Sequence, residues 1–313
     1  MQINYCEKEI EFYKLFKKTA FIFNFIILPC FTFAQASFIG TVTTKNGNSR
    51  IAYATVGLVL ENIGTNTNEN GDFRLQSKTI STIDTLRISS VGYETLKVPV
   101  DQLPVSMQFQ LLQKETTLKE LIIKSTKKQG PVTLNSASNC GSDYYTTNGN
   151  MTQMAQHFHL DHGNAFLEEV EICKYGIAII DPVKTIFRIR IYERDSVSGK
   201  PLADLTDSVI EVKAEGRHVV IDLKKYNIHI PGKDFFVAVE WLRIAYNAYR
   251  EKMKLNGTTI STTSYTPSIA FKRNNAGNIS ALHIPEVWMQ MYSGKWLPMY
   301  NVSRMMIAAT IKY

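Results

Sequence analysis

Four residues near the middle of the chain have the types and the spacing that metal chemistry requires. The run His157-Phe158-His159-Leu160-Asp161-His162 brings three imidazoles and one carboxylate together in a short stretch. Neutral imidazole nitrogens and carboxylate oxygens are common zinc ligands, and a bound zinc ion with an open position activates water. The run therefore raises the hypothesis of a zinc-dependent hydrolase using His157, His159, Asp161 and His162, with His218 and His283 as further candidate ligands.

The residues around this run argue against the zinc hypothesis. The pattern resembles the His-x-His-x-Asp-His signature of the metallo-β-lactamase superfamily, and the resemblance implies a layered α/β fold with a buried strand before the motif. Here the polar residues Asn148-Gly149-Asn150 precede it, and neither flank has helical periodicity. A motif without its scaffold is weak evidence. We therefore expect the four residues to lie in a polar strand or loop, and the zinc hydrolase is kept as the alternative function.

Other catalytic patterns are missing from the sequence. It contains no Gly-x-Ser-x-Gly or phosphate-binding loop, and its acidic residues stand singly on alternating segments, as on a solvated face. The formal net charge of +7 is scattered, with no basic block beyond Lys127-Lys128. Nucleic acid is therefore not an expected partner, no cofactor is predicted, and the protein is expected not to be an enzyme.

Aromatic residues recur every four positions near the end of the chain, at Trp288, Tyr292, Trp296 and Tyr300. On a single strand this spacing places all of them on one face, where exposed rings stack against sugars. Packing into the core and into turns is the more ordinary explanation, because aromatic side chains are mostly buried. Trp288, Tyr292 and Trp296 are therefore candidate binding residues.

The N-terminus has the order of features of a secretory signal peptide. A basic segment with Lys14, Lys17 and Lys18 precedes an apolar run, which ends at the small-x-small sequence Ala34-Gln35-Ala36. We expect cleavage after residue 36, with lipidation at Cys30 as an alternative. No later segment is apolar enough to span a membrane, so the mature chain is expected to be exported to the periplasm or cell surface of a Gram-negative bacterium.

Two cysteines, Cys140 and Cys173, remain after the predicted cleavage. In an oxidising compartment such a pair forms one disulfide, which restricts the unfolded chain and stabilises the fold. Two separate buried thiols are the alternative, and the sequence leaves both open.

Residues 37–113 predict a small antiparallel β-sandwich, because short alternating runs are separated by Gly and Asn turns. Four segments appear in the order Gly40-Thr41-Val42, Ala54-Thr55-Val56, Asn68 to Phe73 and Ser90-Val91-Gly92-Tyr93. In this order they resemble the carboxypeptidase-like regulatory domain. The resemblance implies a transthyretin-like fold of seven strands without catalytic residues, so carboxypeptidase activity is not expected.

The segment Thr117 to Lys124 resembles the strand that follows such domains in TonB-dependent outer-membrane receptors. A receptor barrel needs far more chain than the residues that follow here, so receptor function is not expected. Residues 114–150 are therefore predicted to be a connecting strand and a linker.

Alternating runs return in residues 151–313. The best of them is Ile186 to Tyr192, and others begin near Phe166, Val219, Phe235 and Met305. The period of two predicts a second antiparallel sandwich, similar to a jelly roll, and the segment resembles an uncharacterised sandwich domain of envelope proteins. The chain is thus predicted to be all-β: a non-catalytic exported envelope protein that binds a protein or glycan partner.

Overall fold

The computed structural model describes residues 36–78, 81–115, 130–138, 140, 143–175, 184–255, 257–274 and 285–313. In these residues the chain is almost wholly β, and its helices are single 3-10 turns at Val100–Gln102, Lys224–Tyr226 and Ala245–Asn247. None of the helices in the described ranges is long and apolar enough to cross a membrane. The predicted signal sequence before Ala36, the Thr117 to Lys124 segment, Lys127-Lys128 and His283 lie outside the described residues.

The first domain contains seven strands, which is the number that the resemblance implies. They are β1 (Ala36–Thr44), β2 (Thr55–Leu58), β3 (Ile63–Asn66), β4 (Asp72–Ser77), β5 (Thr85–Ser89), β6 (Leu96–Pro99) and β7 (Gln108–Leu111). They form a 3-stranded sheet in the order β4-β1-β7 and a 4-stranded sheet in the order β3-β2-β5-β6.

Alternation along these strands builds one core between the two sheets. In β4 every second residue is buried, so that Phe73 and Leu75 pack inward with Val56 and Ile88 from the other sheet. One pairing differs from the predicted antiparallel arrangement: β1 and β7 run parallel, with Thr41 opposite Gln108. The crossover between them is the rest of the domain, which is long enough for a parallel connection.

The second domain contains the remaining strands. They are β8 (Val132–Leu134), β9 (Asp143–Thr147), β10 (Met151–His159), β11 (Ala165–Cys173), β12 (Thr185–Arg194), β13 (Pro201–Asp204), β14 (Ile210–Ala214), β15 (His218–Asp222), β16 (Ile228–Ile230), β17 (Asp234–Trp241), β18 (Ala248–Leu255), β19 (Thr258–Arg273), β20 (Val287–Met291), β21 (Trp296–Pro298), β22 (Val302–Met305) and β23 (Ile307–Lys312). This is a larger sandwich than the eight strands of a simple jelly roll.

Three sheets make two layers around the main core. One layer is a 7-stranded sheet in the order β13-β12-β17-β10-β20-β21, with β14 beside β12. The other combines a 5-stranded sheet around β11 and β23 with a 4-stranded sheet around β19. Backbone hydrogen bonds at Met306 join these two sheets, because Met306 accepts from Cys173 and donates to Ala270. Apolar side chains from both layers form one continuous core.

Part of the predicted linker belongs to the second domain. β8 pairs with β23, and β9 pairs with β19, so both strands extend sheets of that domain. Both strands are short, with 3 residues in β8 and 5 in β9, and β8 lies largely exposed at a sheet edge. Strands of this length contain too few residues for the alternation that identifies a strand in the sequence.

The 7-stranded sheet has a second face, which points away from the main core. On β10, Met154 and Phe158 pack into the core, whereas Gln153, Ala155 and His157 alternate onto the opposite face. We call this face the outer face. β17 and β12 also contribute side chains to the outer face. Gln153 of β10 lies opposite Glu240 of β17, and Glu240 lies opposite Arg188 of β12. The first domain docks on part of this face.

Candidate functional site

Docking of the two domains centres on Tyr292, in the turn after β20. Its side chain is only 2% exposed, and its ring lies against the first domain. Glycines at 57 and 64 make this approach possible, because a Cβ atom on Gly57 would come within 2.8 Å of Tyr292 and one on Gly64 would overlap its ring. The backbone N–H of Tyr292 also donates to Asn62 Oδ1 at 3.0 Å.

Arg188 of β12 crosses from the second domain to the first. It is 3% exposed, and its Nη1 and Nη2 atoms donate to the backbone oxygens of Tyr53 and Ala52, both at 3.1 Å. Its guanidinium lies 5.5 Å from the centre of the Tyr53 ring. Burial lowers the pKa of Arg188, and the nearby charge of Glu240 opposes this shift. The interface between the two domains therefore contains a buried, charged side chain.

Beside this interface the two domains enclose a cleft of about 140 Å³. Residues of both domains line it, and those used below are Arg87, Tyr93 and Lys114 of the first domain and Gln153, Arg190 and Trp296 of the second. We call it the interdomain cleft. Its volume is well below the 300 to 1,000 Å³ of sites for drug-sized ligands, so it suits one small group or one sugar ring.

Arg190 forms the charged floor of the cleft. Its Nη2 atom donates to both carboxylate oxygens of Asp204, at 2.6 and 2.7 Å, and its Nη1 atom donates to Glu240 Oε2 at 3.5 Å. Burial by itself would lower the pKa of Arg190, but neighbouring Tyr192, Asp204 and Glu240 outweigh it and raise the pKa. Both acidic groups of the cleft are thus occupied by this one guanidinium.

Arg87 enters the cleft from β5 of the first domain. Its Nη1 atom donates to Ser89 Oγ at 3.0 Å, and the loop at Gly294 packs beside its guanidinium. Burial lowers the pKa of Arg87. Within the described residues, the acidic side chains that pair with cations within 4 Å pair with groups other than Arg87.

A row of amides and an indole complete the opposite wall. The Tyr192 hydroxyl donates to Gln153 Oε1 at 2.9 Å, and Gln153 Nε2 donates to Gln290 Oε1 at 2.6 Å. Trp296 packs edge-on against Tyr192, with the ring centres 5.5 Å apart, and is half-buried at the cleft. Burial raises the pKa of Tyr192, so its phenol stays protonated at neutral pH and acts as a donor.

Two histidines of the His157 to His162 run contact acidic side chains of neighbouring strands and loops. His157 Nε2 and His159 Nδ1 each lie 2.9 Å from the same atom, Asp234 Oδ1, and His157 Nδ1 lies 3.2 Å from Glu286 Oε2. Burial alone would raise the pKa of Asp234, but hydrogen bonds from His159 and His157 outweigh it and lower the pKa.

Strand geometry separates the four residues of the alternative zinc hypothesis, His157, His159, Asp161 and His162. Alternation places His157 and His159 on the outer face, but β10 ends at His159, and Asp161 and His162 lie exposed in the following turn. Among the described residues, the groups whose ligand atoms lie within 4.8 Å of one another include no three of these four side chains.

The aromatic residues near the C-terminus do not share an exposed face. A turn separates β20 from β21, so Trp288 lies opposite Pro298, and Gln290 lies opposite Trp296. Trp288 packs with Phe236 and Ala238 on the outer face, and Tyr292 is buried between the domains. The expectation of a common stacking face for Trp288, Tyr292 and Trp296 is therefore corrected: Trp296 alone of these three lines the interdomain cleft.

Cys140 and Cys173 are joined in a disulfide, with their Cα atoms 5.3 Å apart. The pair lies in a small buried cluster with Ala270 and Met306, where the 5-stranded and 4-stranded sheets meet. His218 Nε2 approaches Cys140 Sγ at 3.5 Å, which makes these three residues the one close group of potential metal ligands in the described chain. Sulfurs joined in a disulfide do not act as thiolate ligands, so the group is structural here.

Comparison with protein families locates a similarity in the first domain. Residues 38–123 match the family model of the CarboxypepD_reg-like domain. The matched residues include β2 to β7 and all of β1 except its first two residues, and the described part of the match ends at residue 115. No curated protein matches the chain in sequence.

Several solved structures have low similarity to the chain. The cysteine protease and lectin-like domains of Cwp84, a surface layer associated protein of Clostridium difficile, are 13% identical, with 52% of this chain and 32% of that chain covered and a TM-score of 0.29. A second structure of this clostridial cysteine protease, after propeptide cleavage, is 11% identical, with 88% and 70% covered and a TM-score of 0.33. A structure of infectious bursal disease virus Gx strain is 9% identical, with 89% of this chain and 63% of that chain covered and a TM-score of 0.21.

This chain spans about a third of the length of the first of these structures. At such TM-scores, the similarities carry no argument about function.

Apart from Trp296, the residues of the cleft were not predicted from the sequence. Arg190 in the cleft and Arg188 in the neighbouring interface alternate with apolar residues along β12, which in isolation indicates a solvated polar face. One feature of the sequence could have indicated the cleft. Tyr192 and Gln153 lie on the same face as these arginines, and an aromatic and an amide side chain are unusual on a face that is fully exposed to solvent.

Proposed function

We propose that the protein is a non-catalytic, exported envelope module that binds a protein or glycan partner in the interdomain cleft. The observation that carries the proposal is the cleft itself, where amides, hydroxyls and one indole converge between two docked domains. A small number of placed polar groups beside an aromatic surface is typical of a binding site. The match of residues 38–123 to a regulatory-like family, rather than to a peptidase family, supports a role without catalysis.

The chemistry of the cleft favours binding over turnover. A general base needs a carboxylate or imidazole with a free lone pair near the substrate. Asp204 gives both oxygens to Arg190, and Glu240 accepts from Arg190 and from Thr55 Oγ1, each at 3.5 Å. These contacts hold the acids as structural partners of a cation, so we assign them no catalytic step.

Replacing Trp296 with alanine tests the binding site. We expect the purified protein to retain a glycan on an array or a protein from an envelope extract, and Trp296→Ala to weaken that binding by about 2 kcal/mol, or roughly thirtyfold. The matched control is Tyr300→Ala, because Tyr300 is 46% exposed and is not among the cleft residues. Equal binding by both variants, or turnover of a substrate by the wild-type protein, would contradict the proposal.

Export is the second part of the proposal. The basic segment, apolar run and Ala34-Gln35-Ala36 support removal of the first 36 residues, so the mature chain is expected to begin at or within a few residues of Ser37. Intact-mass measurement of the native protein checks this expectation. A mass that includes Met1 would refute cleavage, and a lipid adduct on Cys30 would replace it with the lipoprotein alternative.

A further inference from the structure

We propose that the interdomain cleft recognises the carboxylate of an acidic sugar, with Arg87 as the residue that pairs with it. The inference rests on the proposed function, since it assigns a ligand class to the same cleft. Three cations line the cleft, Arg87, Arg190 and Lys114, against the two carboxylates of Asp204 and Glu240.

Asp204 and Glu240 form their close ion pairs with Arg190 and none with Arg87 among the described residues, although the charge of Glu240 acts on Arg87 from a distance. Arg190 holds Asp204 through both of its oxygens and also reaches Glu240, whose other oxygen accepts from Thr55. Lys114 is exposed at the mouth and adds a second positive charge on the same side as Arg87. Buried charges in proteins are normally paired, so a partly buried guanidinium facing a cleft favours an anion there.

The position of Arg87 suits a ligand rather than a structural role. Its Nη1 atom donates to the Ser89 hydroxyl, and this is its one hydrogen bond to a side chain in the described residues. A guanidinium carries five N–H donors in a planar fork that matches a carboxylate. Burial lowers the pKa of Arg87, which a bound anion would offset.

The rest of the cleft indicates that the anion is carried by a sugar. Trp296 presents an indole at one wall, and the hydroxyls of Ser89, Ser90 and Thr95 line the other. A pyranose ring has apolar C–H faces that pack on aromatic rings and hydroxyl edges that form hydrogen bonds. The volume of about 140 Å³ accommodates one ring with its carboxylate, so a terminal acidic residue is the expected occupant.

Titration calorimetry with three probes tests the inference: trigalacturonate, maltotriose as a neutral trisaccharide, and inorganic phosphate. We expect trigalacturonate to bind wild-type protein with an affinity that falls as salt is added, and to bind at least about tenfold more tightly than the other two probes. Arg87→Gln should weaken this binding by about tenfold or more, and Arg87→Lys should retain part of it, because it keeps the charge. Arg50→Gln is the control, since Arg50 is exposed in the same domain and pairs with Asp72.

The outcomes separate this inference from the proposed function. Equal binding of maltotriose, with loss on Trp296→Ala but not on Arg87→Gln, would overturn acidic-sugar recognition and leave a glycan-binding module. Equal binding of phosphate would overturn the sugar assignment. A folded protein that binds none of the probes, while capturing a protein through Trp296, would overturn the inference and leave the proposed function standing. The melting temperature of each variant identifies any that fail to fold.

Discussion

Tyr292→Ala is expected to lower the free energy of unfolding by about 3 to 5 kcal/mol, as for other large aromatic side chains deleted from a core. The ring fills the space over Gly57 and Gly64, and these glycines have no side chains that can move into the cavity. Because Tyr292 joins two domains, its loss also weakens their docking. We expect calorimetry to show a lower melting temperature and a transition that separates into two.

Tyr300→Ala is the matched control for this change. Tyr300 lies a few residues further along the chain and its side chain is 46% exposed, so its truncation should alter stability by less than about 0.5 kcal/mol. Gly64→Ala offers an independent check, because the added methyl group would overlap the same ring and destabilise the protein from the other side of the contact. Wild-type stability in Tyr292→Ala would contradict the docking described above.

Arg188→Met should cost about 2 to 5 kcal/mol in unfolding free energy, because it removes the donors from two buried carbonyls. The backbone oxygens of Ala52 and Tyr53 lose the guanidinium that bonds them at 3.1 Å, while methionine preserves most of the side-chain volume. Glu240 loses one of its positive neighbours but keeps Arg190. Urea denaturation of the wild-type and variant proteins measures the difference.

Arg50→Met provides the comparison for Arg188. Arg50 is also an arginine with a protein partner, but its side chain is 53% exposed and its pair with Asp72 is screened by water. The expected cost is below about 1 kcal/mol. If Arg188→Met costs no more than Arg50→Met, the two carbonyls reach solvent and the interface is wetter than the structure indicates.

The strand pattern predicted the fold because each domain has its own core. Phe73 and Leu75 in the first domain, and Phe187, Ile189 and Ile191 in the second, alternate inward, as the period of two requires. The all-β class and the seven strands of the first domain follow from this pattern and from the resemblance. The parallel pairing of β1 with β7 does not, because pairing between distant strands leaves no local signal.

The site was harder to predict because it depends on contact between domains. Alternation identifies which residues share a face but not what covers that face, so acidic residues such as Glu240, which is buried, were expected to lie on a solvated face. The spacing of Trp288, Tyr292 and Trp296 was interpreted as one strand, yet Gly294, with a φ of 85°, allows the chain to reverse between them. The four residues of the zinc hypothesis are separated for a related reason, since β10 ends before Asp161.

The docked interface has a practical consequence for expression of the protein in pieces. A fragment holding the second domain alone would expose Tyr292, together with Ile186 and Leu242, which pack against Tyr53. The same fragment would leave the guanidinium of Arg188 without the carbonyls that it binds. An uncovered apolar and charged sheet face promotes self-association, so such fragments should be poorly soluble. Crystallisation and ligand screening are therefore best served by one uninterrupted polypeptide that contains both domains.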